Sequence, residues 1–452
     1  MIAQGKRPCY PLDMASGQNI FKSLTKKAIF KGSAVLTTTT VLSYALGLLR
    51  DRLFAQTFGA TRVLDAYNAA FTLPDLILNI FVAGALTAAF VPIFTDLTEE
   101  NKRQETNIFV NSVLNSSLIA VLVSGLLVFA FAPQLSRYIV PGFDEQSRKI
   151  FVDLTRLLLL SPIIFSISNT LGGIALTRER FFWFGISAPL YNLGIILGTV
   201  ILAAKYGIYG VAVGTIIGAL LHLLPRLIGL GFSFRYRPMI NFNQEFKKYV
   251  RLMLPKAAGH PVEQLTFLGF TIIASAIGAG SIAILNFARN FQSMPVNAIG
   301  VAFSLAAFPL LAKAISVNDK TTFNREFTFT LKSIALLATL AALIIYLIRR
   351  PLIAIFLGGG AFDQNAVDLT AAALGIFALS IPTESASHLL ARGFYAFKDS
   401  LTPVIISLIS LAVAVTGGYV FSATLGVKGL ALGVGLGSLL MSASLMFVLS
   451  WN

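Results

Sequence analysis

Apolar residues in this chain come in long runs, and polar residues gather in the short breaks between them. Each run is about 20 residues or more, enough to cross roughly 30 Å of hydrocarbon as a helix. Twelve are legible. They cover 34–56, 64–95, 108–131, 151–176, 184–204 and 210–232, then 248–277, 281–314, 328–348, 367–396, 402–423 and 428–450. The breaks carry Gly, Pro or charge, as at Gly278-Ala279-Gly280 and Lys398-Asp399-Ser400. Backbone that faces lipid must satisfy its own hydrogen bonds, which leaves helices or closed barrels. The runs far exceed the ~10-residue alternating strands of a barrel. The pattern therefore predicts an all-α integral membrane protein.

The second half echoes the first at a spacing of about 220 residues. Tyr206-Gly-Ile-Tyr-Gly-Val-Ala-Val-Gly214 returns as Leu425-Gly-Val-Lys-Gly-Leu-Ala-Leu-Gly433, and Ala88-Ala89-Phe90-Val91-Pro92 as Ala306-Ala307-Phe308-Pro309. Pro162 has a counterpart in Pro382, each followed by a small basic turn. Repeated bundles flanking a cleft are a common body plan for transporters. The expected organisation is a basic segment 1–33, a six-helix lobe 34–232, a cytoplasmic linker 233–247 and a second six-helix lobe 248–452.

Composition agrees: 56% of residues are hydrophobic and 12% charged, with a mean hydropathy of +0.78. The net charge of +15 need not imply nucleic acid, because Lys and Arg concentrate in alternate loops. Residues such as Lys22, Lys26, Arg103, Arg178, Arg180, Lys247, Lys248 and Lys320 share one side if the N-terminus is cytoplasmic. Anionic membrane lipids are then the expected partners of that side. No cleavable apolar leader is legible in the first 33 residues. Cys9 is the single cysteine, and His222, His260 and His388 lack metal-ligand spacing. The Gly433-x-Gly435-x-Gly437 run reads as helix packing, not as a dinucleotide fingerprint. No cofactor, metal or enzymatic activity is expected, and the oligomeric state is open.

Charge inside an apolar run marks candidate function. Arg50 and Arg52 close the first run, and residues two apart lie about 200° apart round a helix, so one faces a cavity while the other pairs with Asp51 or snorkels. The second run holds Asp65, a candidate partner for Arg50 or Arg62, and Pro74, which should kink or interrupt the helix. Lys256, His260 and Glu263 fall on one helical face, as do Glu384, His388 and Arg392. Arg289 and Asn290 add a polar face before Pro295. Such stripes suggest a hydrated, net-cationic cleft suited to an anionic or phosphate-bearing substrate.

Several stretches resemble the MurJ/MviN family. They are Leu46-Gly-Leu-Leu-Arg50-Asp51-Arg52, Leu73-Pro74-Asp75-Leu76, Gly84-Ala-Leu-Thr-Ala-Ala-Phe-Val-Pro92 and Leu390-Ala-Arg-Gly-Phe-Tyr-Ala-Phe-Lys-Asp-Ser-Leu-Thr-Pro403. The resemblance implies two six-helix lobes that alternate access. It also implies flipping of lipid II, the undecaprenyl-diphosphate-linked peptidoglycan precursor, across the bacterial inner membrane. An exporter of another polyprenyl-linked glycan, or a multidrug antiporter of the same superfamily, is the alternative. Arg50 matches the family pattern directly. Tyr44, Leu78 and Asn79 stand where the family usually has arginines, and the span-eight arginine aligns with Asn290, one position after Arg289. The expected substrate-binding set is Arg50, Asp65, Lys256, His260, Glu263, Arg289, Asn290 and Arg392.

Overall fold

The structure is a computed structural model that describes residues 14–83, 89–100, 102–230, 235–259 and 262–450. The side chains of 14–31, 33, 83 and 254–259 lie outside that description. The chain is nearly all helical, and among the described residues there is no strand. The first half runs α1 (Met14–Phe58), α2 (Arg62–Ala70), α3 (Thr72–Leu78), α4 (Val91–Glu99), α5 (Arg103–Ile139), α6 (Glu145–Leu158), α7 (Leu160–Thr177), α8 (Phe181–Gly185), α9 (Ser187–Leu197), α10 (Ala203–Tyr206) and α11 (Ile208–Leu230). The second half follows as α12 (Gln244–Gly259), α13 (Val262–Ile277), α14 (Ser281–Pro295), α15 (Ala302–Ser316), α16 (Lys320–Phe356), α17 (Gln364–Ala396), α18 (Leu401–Leu425) and α19 (Val427–Leu449).

These helices fall into the twelve runs expected from hydropathy. Among the described residues, nine continuous helical stretches are long and apolar enough to span a bilayer, and Val262–Ile277 is a shorter apolar helix. Several exceed their apolar runs: α5 and α16 continue to 37 residues each, carrying charged ends beyond the hydrocarbon. Their exposed Leu126, Leu127, Phe329, Leu336 and Leu347 face outward, as lipid contact requires. By contrast α17 is largely buried and forms the centre of the second half.

Proline sets the interruptions in the first half. Turns at Phe71, Leu159 and Ile186 divide the helices, each three residues before Pro74, Pro162 and Pro189. The imide nitrogen lacks a donor and its ring crowds the carbonyl one turn back, so the helix resets there. Pro382, the counterpart of Pro162, instead passes through α17 without a break. Further on, π-helical turns at Asn79–Ala83 and Val296–Val301 occupy matching places in the two halves.

The repeat is also visible in backbone angles. Gly207 (φ 56°, ψ −136°) and Gly426 (φ 59°, ψ −135°) adopt the same left-handed turn at equivalent joints. The following helix packs tightly against its predecessor in both halves. A Cβ on Gly214 would lie 2.6 Å from the Gly198 Cα, and one on Gly433 would lie 2.5 Å from the Gly418 nitrogen. Small residues let membrane helices approach until backbones touch.

Outside the spans, Asp144 and Asp319 cap α6 and α16, accepting the Ser147 and Thr322 amides at 2.7 and 2.9 Å. The Ser147 amide at Asp144, and the Thr322 hydroxyl and amide at Asp319, hold both carboxyls below the usual range. Their stabilisation is present above the ordinary Asp pKa and is lost as pH falls through the lowered folded values.

The apolar core shows how the halves meet. At one end a single cluster includes Phe54, Leu64, Tyr67 and Phe143 together with Ile282, Phe287, Phe362 and Phe377. Toward the basic loops it gives way to two separate clusters. One centres on Phe90, Phe94 and Phe109, the other on Leu311, Phe323 and Phe394. Among the described residues the apolar core is thus one cluster at one end and separate clusters at the other.

Replacing Gly214 with Leu should force α9 and α11 apart. The expected cost is about 1–3 kcal/mol, the usual scale for overpacking, read as a lower unfolding midpoint in detergent. Gly435→Ala, whose added Cβ meets nothing within 4 Å, should leave that midpoint unchanged.

Candidate functional site

The joined end is held by backbone and charge together. Asp65 at the start of α2 is fully buried, and its two oxygens accept the Gly280 and Ala283 amides at 2.7 and 2.9 Å. Those amides open α14, so the carboxylate caps the N-terminus of a helix from the opposite half, where the helix dipole favours negative charge. Gly280 has φ +81°, and a Cβ there would strike the Ala60 carbonyl at 2.2 Å. Arg62 donates to the Ser275 and Gly278 carbonyls at 2.9 and 3.3 Å and lies over the Phe143 ring. The Ala361 amide adds a bond to the Gln56 carbonyl at 2.9 Å.

Below this seal, a polar chain crosses between the halves. Arg50 donates through Nε and Nη2 to one Asp51 oxygen at 3.1 and 2.8 Å, and through Nη1 to Asn192 at 3.0 Å. The other Asp51 oxygen accepts the Asn290 amide at 2.7 Å. Asn192 in turn donates to the Ser43 hydroxyl at 3.2 Å. Arg50 thus both pairs with Asp51 and keeps 24% of its side chain exposed, while Arg52 reaches the Ile355 carbonyl at 3.0 Å. The sequence assigned those two roles to different arginines.

The second-half cluster is equally well paired. Arg289 Nη2 and Nη1 meet the two Glu384 oxygens at 2.9 and 3.0 Å, and Gln292 bonds to both partners. Glu263 stands 3.8 Å from the same guanidinium with its side chain 74% exposed. Arg392 turns instead to the Val301 carbonyl and the Ser304 hydroxyl in the second half's own π-turn region. Lys256 and His260 lie outside the described side chains. Among the described side chains, Arg50 and Arg289 stand against Asp51, Glu384 and Glu263.

Other groups escaped the sequence reading. Asn111, Ser112 and Asn115 on α5 are buried and bind the linker backbone. Asn111 exchanges bonds with Arg235 and Arg237, Asn115 donates to Arg237 and Met239, and Ser112 accepts from Asn241. Nearby Phe246 and Tyr249 of α12 join the aromatic cluster of the first half. Arg226 is buried in α11, donates to Ser187 at 2.9 Å and stacks 4.0 Å from the Phe184 ring centroid. Its only sequence signal is a charge near the end of an apolar run.

A family profile described as "Lipid II flippase MurJ" matches residues 54–451. The chain belongs to the lipid II flippase MurJ family. Similar MurJ proteins include the lipid II flippase of Burkholderia cenocepacia, 29% identical over 92% of this chain and 82% of its own length. A probable lipid II flippase of Rickettsia prowazekii is also 29% identical, over 85% of this chain and 76% of its own. Among solved structures, a MurJ described as inward closed superposes with a TM-score of 0.81 at 25% identity, covering 92% of this chain and 87% of that one. An inward-facing multidrug transporter of the MATE family shares the fold, with a TM-score of 0.76 at 16% identity over 90% and 93%. Family and helices together make this MurJ member a multi-pass protein of the bacterial inner membrane.

Two substitutions probe this geometry. Asp65→Ala should weaken the seal by about 3 kcal/mol, the scale of lost charged hydrogen bonds, and raise thiol labelling of a cysteine introduced at Ala60. Glu384→Gln should destabilise the fold by roughly 3 kcal/mol by stranding Arg289, and a paired Arg289→Gln change should recover part of that loss in a double-mutant cycle.

Proposed function

We propose that this chain flips lipid II across the inner membrane by alternating access. The supporting observation is the core that is single at one end and divided at the other, with Arg50 partly exposed just below the seal. A cleft open on one side admits a head group while its lipid tail remains in the bilayer. Separating the seal and closing the divided end then carries the head group across. The N-terminus and the basic loops are assigned to the cytoplasmic side, facing anionic lipids, and the Asp65 seal to the opposite side.

Arg50 is the proposed diphosphate anchor, since guanidinium groups match phosphate oxygens in pairs. It is already engaged by Asp51 and Asn192, so substrate must exchange for these partners and not fill a vacant charge. Asn290 and Arg289 flank the exchange from α14, with Lys256 and His260 as further proposed contacts. Glu263 and Arg392 complete the proposed set through their polar positions on α13 and α17. Asp65 contributes through the seal. Each charge moved through the bilayer field would be biased by about 2.3 kcal/mol per 100 mV.

Complementation tests the reading in cells depleted of their own lipid II flippase. The wild-type chain and Arg350→Ala, which removes only an exposed pair with Asp368, should both rescue growth. Arg50→Ala should fail, and Lys256→Ala and Arg289→Ala should each impair rescue. A wild-type chain that reaches the membrane and does not rescue overturns the proposal. Full rescue by all three alanine variants removes the cationic-anchor argument.

A further inference from the structure

One face of α5 changes partner part-way along its length. Asn111, Asn115, Ile119, Leu122 and Leu126 follow one another at three- and four-residue steps, which sets them in a single stripe. Ile119, Leu122 and Leu126 are exposed apolar side chains on a spanning helix, the surface that meets lipid. Asn111 and Asn115 are buried on the same stripe, and they bond to the backbone of the segment from Arg235 to Met239. Ile119 stands one turn, roughly 6 Å, beyond Asn115. The segment therefore covers α5 where lipid would otherwise begin, on the outside of the bundle at the edge of the hydrocarbon.

Its outward side chains suit that depth. Tyr236 is 56% and Phe242 67% exposed, and Arg235, Arg237 and Lys247 are exposed as well. Bonds to Asn111, Ser112 and Asn115 fix the backbone that carries them. The stretch from Arg235 to Arg251 holds five basic residues against one acid, Glu245. Lys248 meets Asp96 at 3.5 Å, whereas no ion pair engages Arg235, Arg237 or Lys247 among the described residues. Aromatic rings settle at the membrane–water boundary, and cations beside them attract anionic headgroups. A soluble acidic partner would answer the charges but leaves two exposed rings beside a lipid-facing stripe unexplained.

We infer that the segment Arg235–Phe242 is a docking surface for anionic phospholipid headgroups. The inference rests on the side assigned above to the basic loops, and it names the groups that meet the bilayer there. Lipid contact is read at equilibrium and needs no flipping, so its failure and a failure of complementation are separate results.

Fluorescence quenching of the full chain in nanodiscs tests it. A bimane label is placed on Gln244→Cys in a Cys9→Ser background, and the quencher is phosphatidylglycerol or phosphatidylcholine spin-labelled high on the acyl chain. Quenching should reach half-saturation at a lower mole fraction of the glycerol lipid than of the choline lipid. Arg235→Gln and Arg237→Gln should each raise that fraction for phosphatidylglycerol by roughly five-fold. Tyr236→Ser with Phe242→Ser should weaken quenching by both lipids, while Arg350→Gln, on another surface, should change neither curve. Equal curves for the two lipids, no quenching by either, or an unchanged curve in the folded double arginine variant would each overturn the assignment.

Discussion

A carboxylate removed from water inside a membrane protein is tolerated when its hydrogen-bonding capacity is filled, and Asp65 fills it with two amides that begin α14. The bond pairs an acid from one half with a helix terminus from the other. It therefore fixes where α14 starts, and with it the height of every side chain on that helix. Arg289 and Asn290 stand some two turns further along. From there Asn290 reaches back to Asp51, and Arg289 reaches across to Glu384. Much of the polar geometry of the cleft hangs from this one cap.

The cleft is in turn a place of satisfied charges. Burying an unpaired arginine in a bilayer is costly, and the arginines of the site are supplied with acceptors. Arg50 has Asp51 and Asn192, Arg62 has two carbonyls, and Arg392 has a carbonyl and a hydroxyl. Under the exchange proposed at Arg50, specificity for an anionic head group would reside in how well it substitutes for those acceptors. An exchange of partners also releases what held the halves together, since Asp51 is shared between Arg50 and Asn290. On that proposal, ligand binding and loosening of the interface would draw on the same carboxylate.

Most of the architecture was legible because the bilayer imposes local rules. Run length gave twelve helical segments, Pro74 announced a break, and the Gly207 and Gly426 echoes reappear as matching left-handed turns. The partners of charged residues were much less legible. A helical stripe tells which face a side chain occupies but not which acid waits opposite. Asp65 finds its amides more than 200 positions away, and Arg392 ignores Glu384 on its own helix for the Val301 carbonyl. Asn111 and Asn115 were overlooked because amides within an apolar run look incidental until the backbone they serve is known.

That linker has a mechanical meaning. A slack tether would let two bodies rotate about each other with little resistance. Here the segment from Arg235 to Asn241 is laced to α5, and Phe246 and Tyr249 anchor the start of α12 beside it. Helices α12 and α13 follow one another in the chain, yet the first is fastened to one body and the second is built into the other. A rotation that displaced Arg235–Asn241 from α5 would have to break these hydrogen bonds, so the crossing between the halves is a fastened segment and not a slack tether.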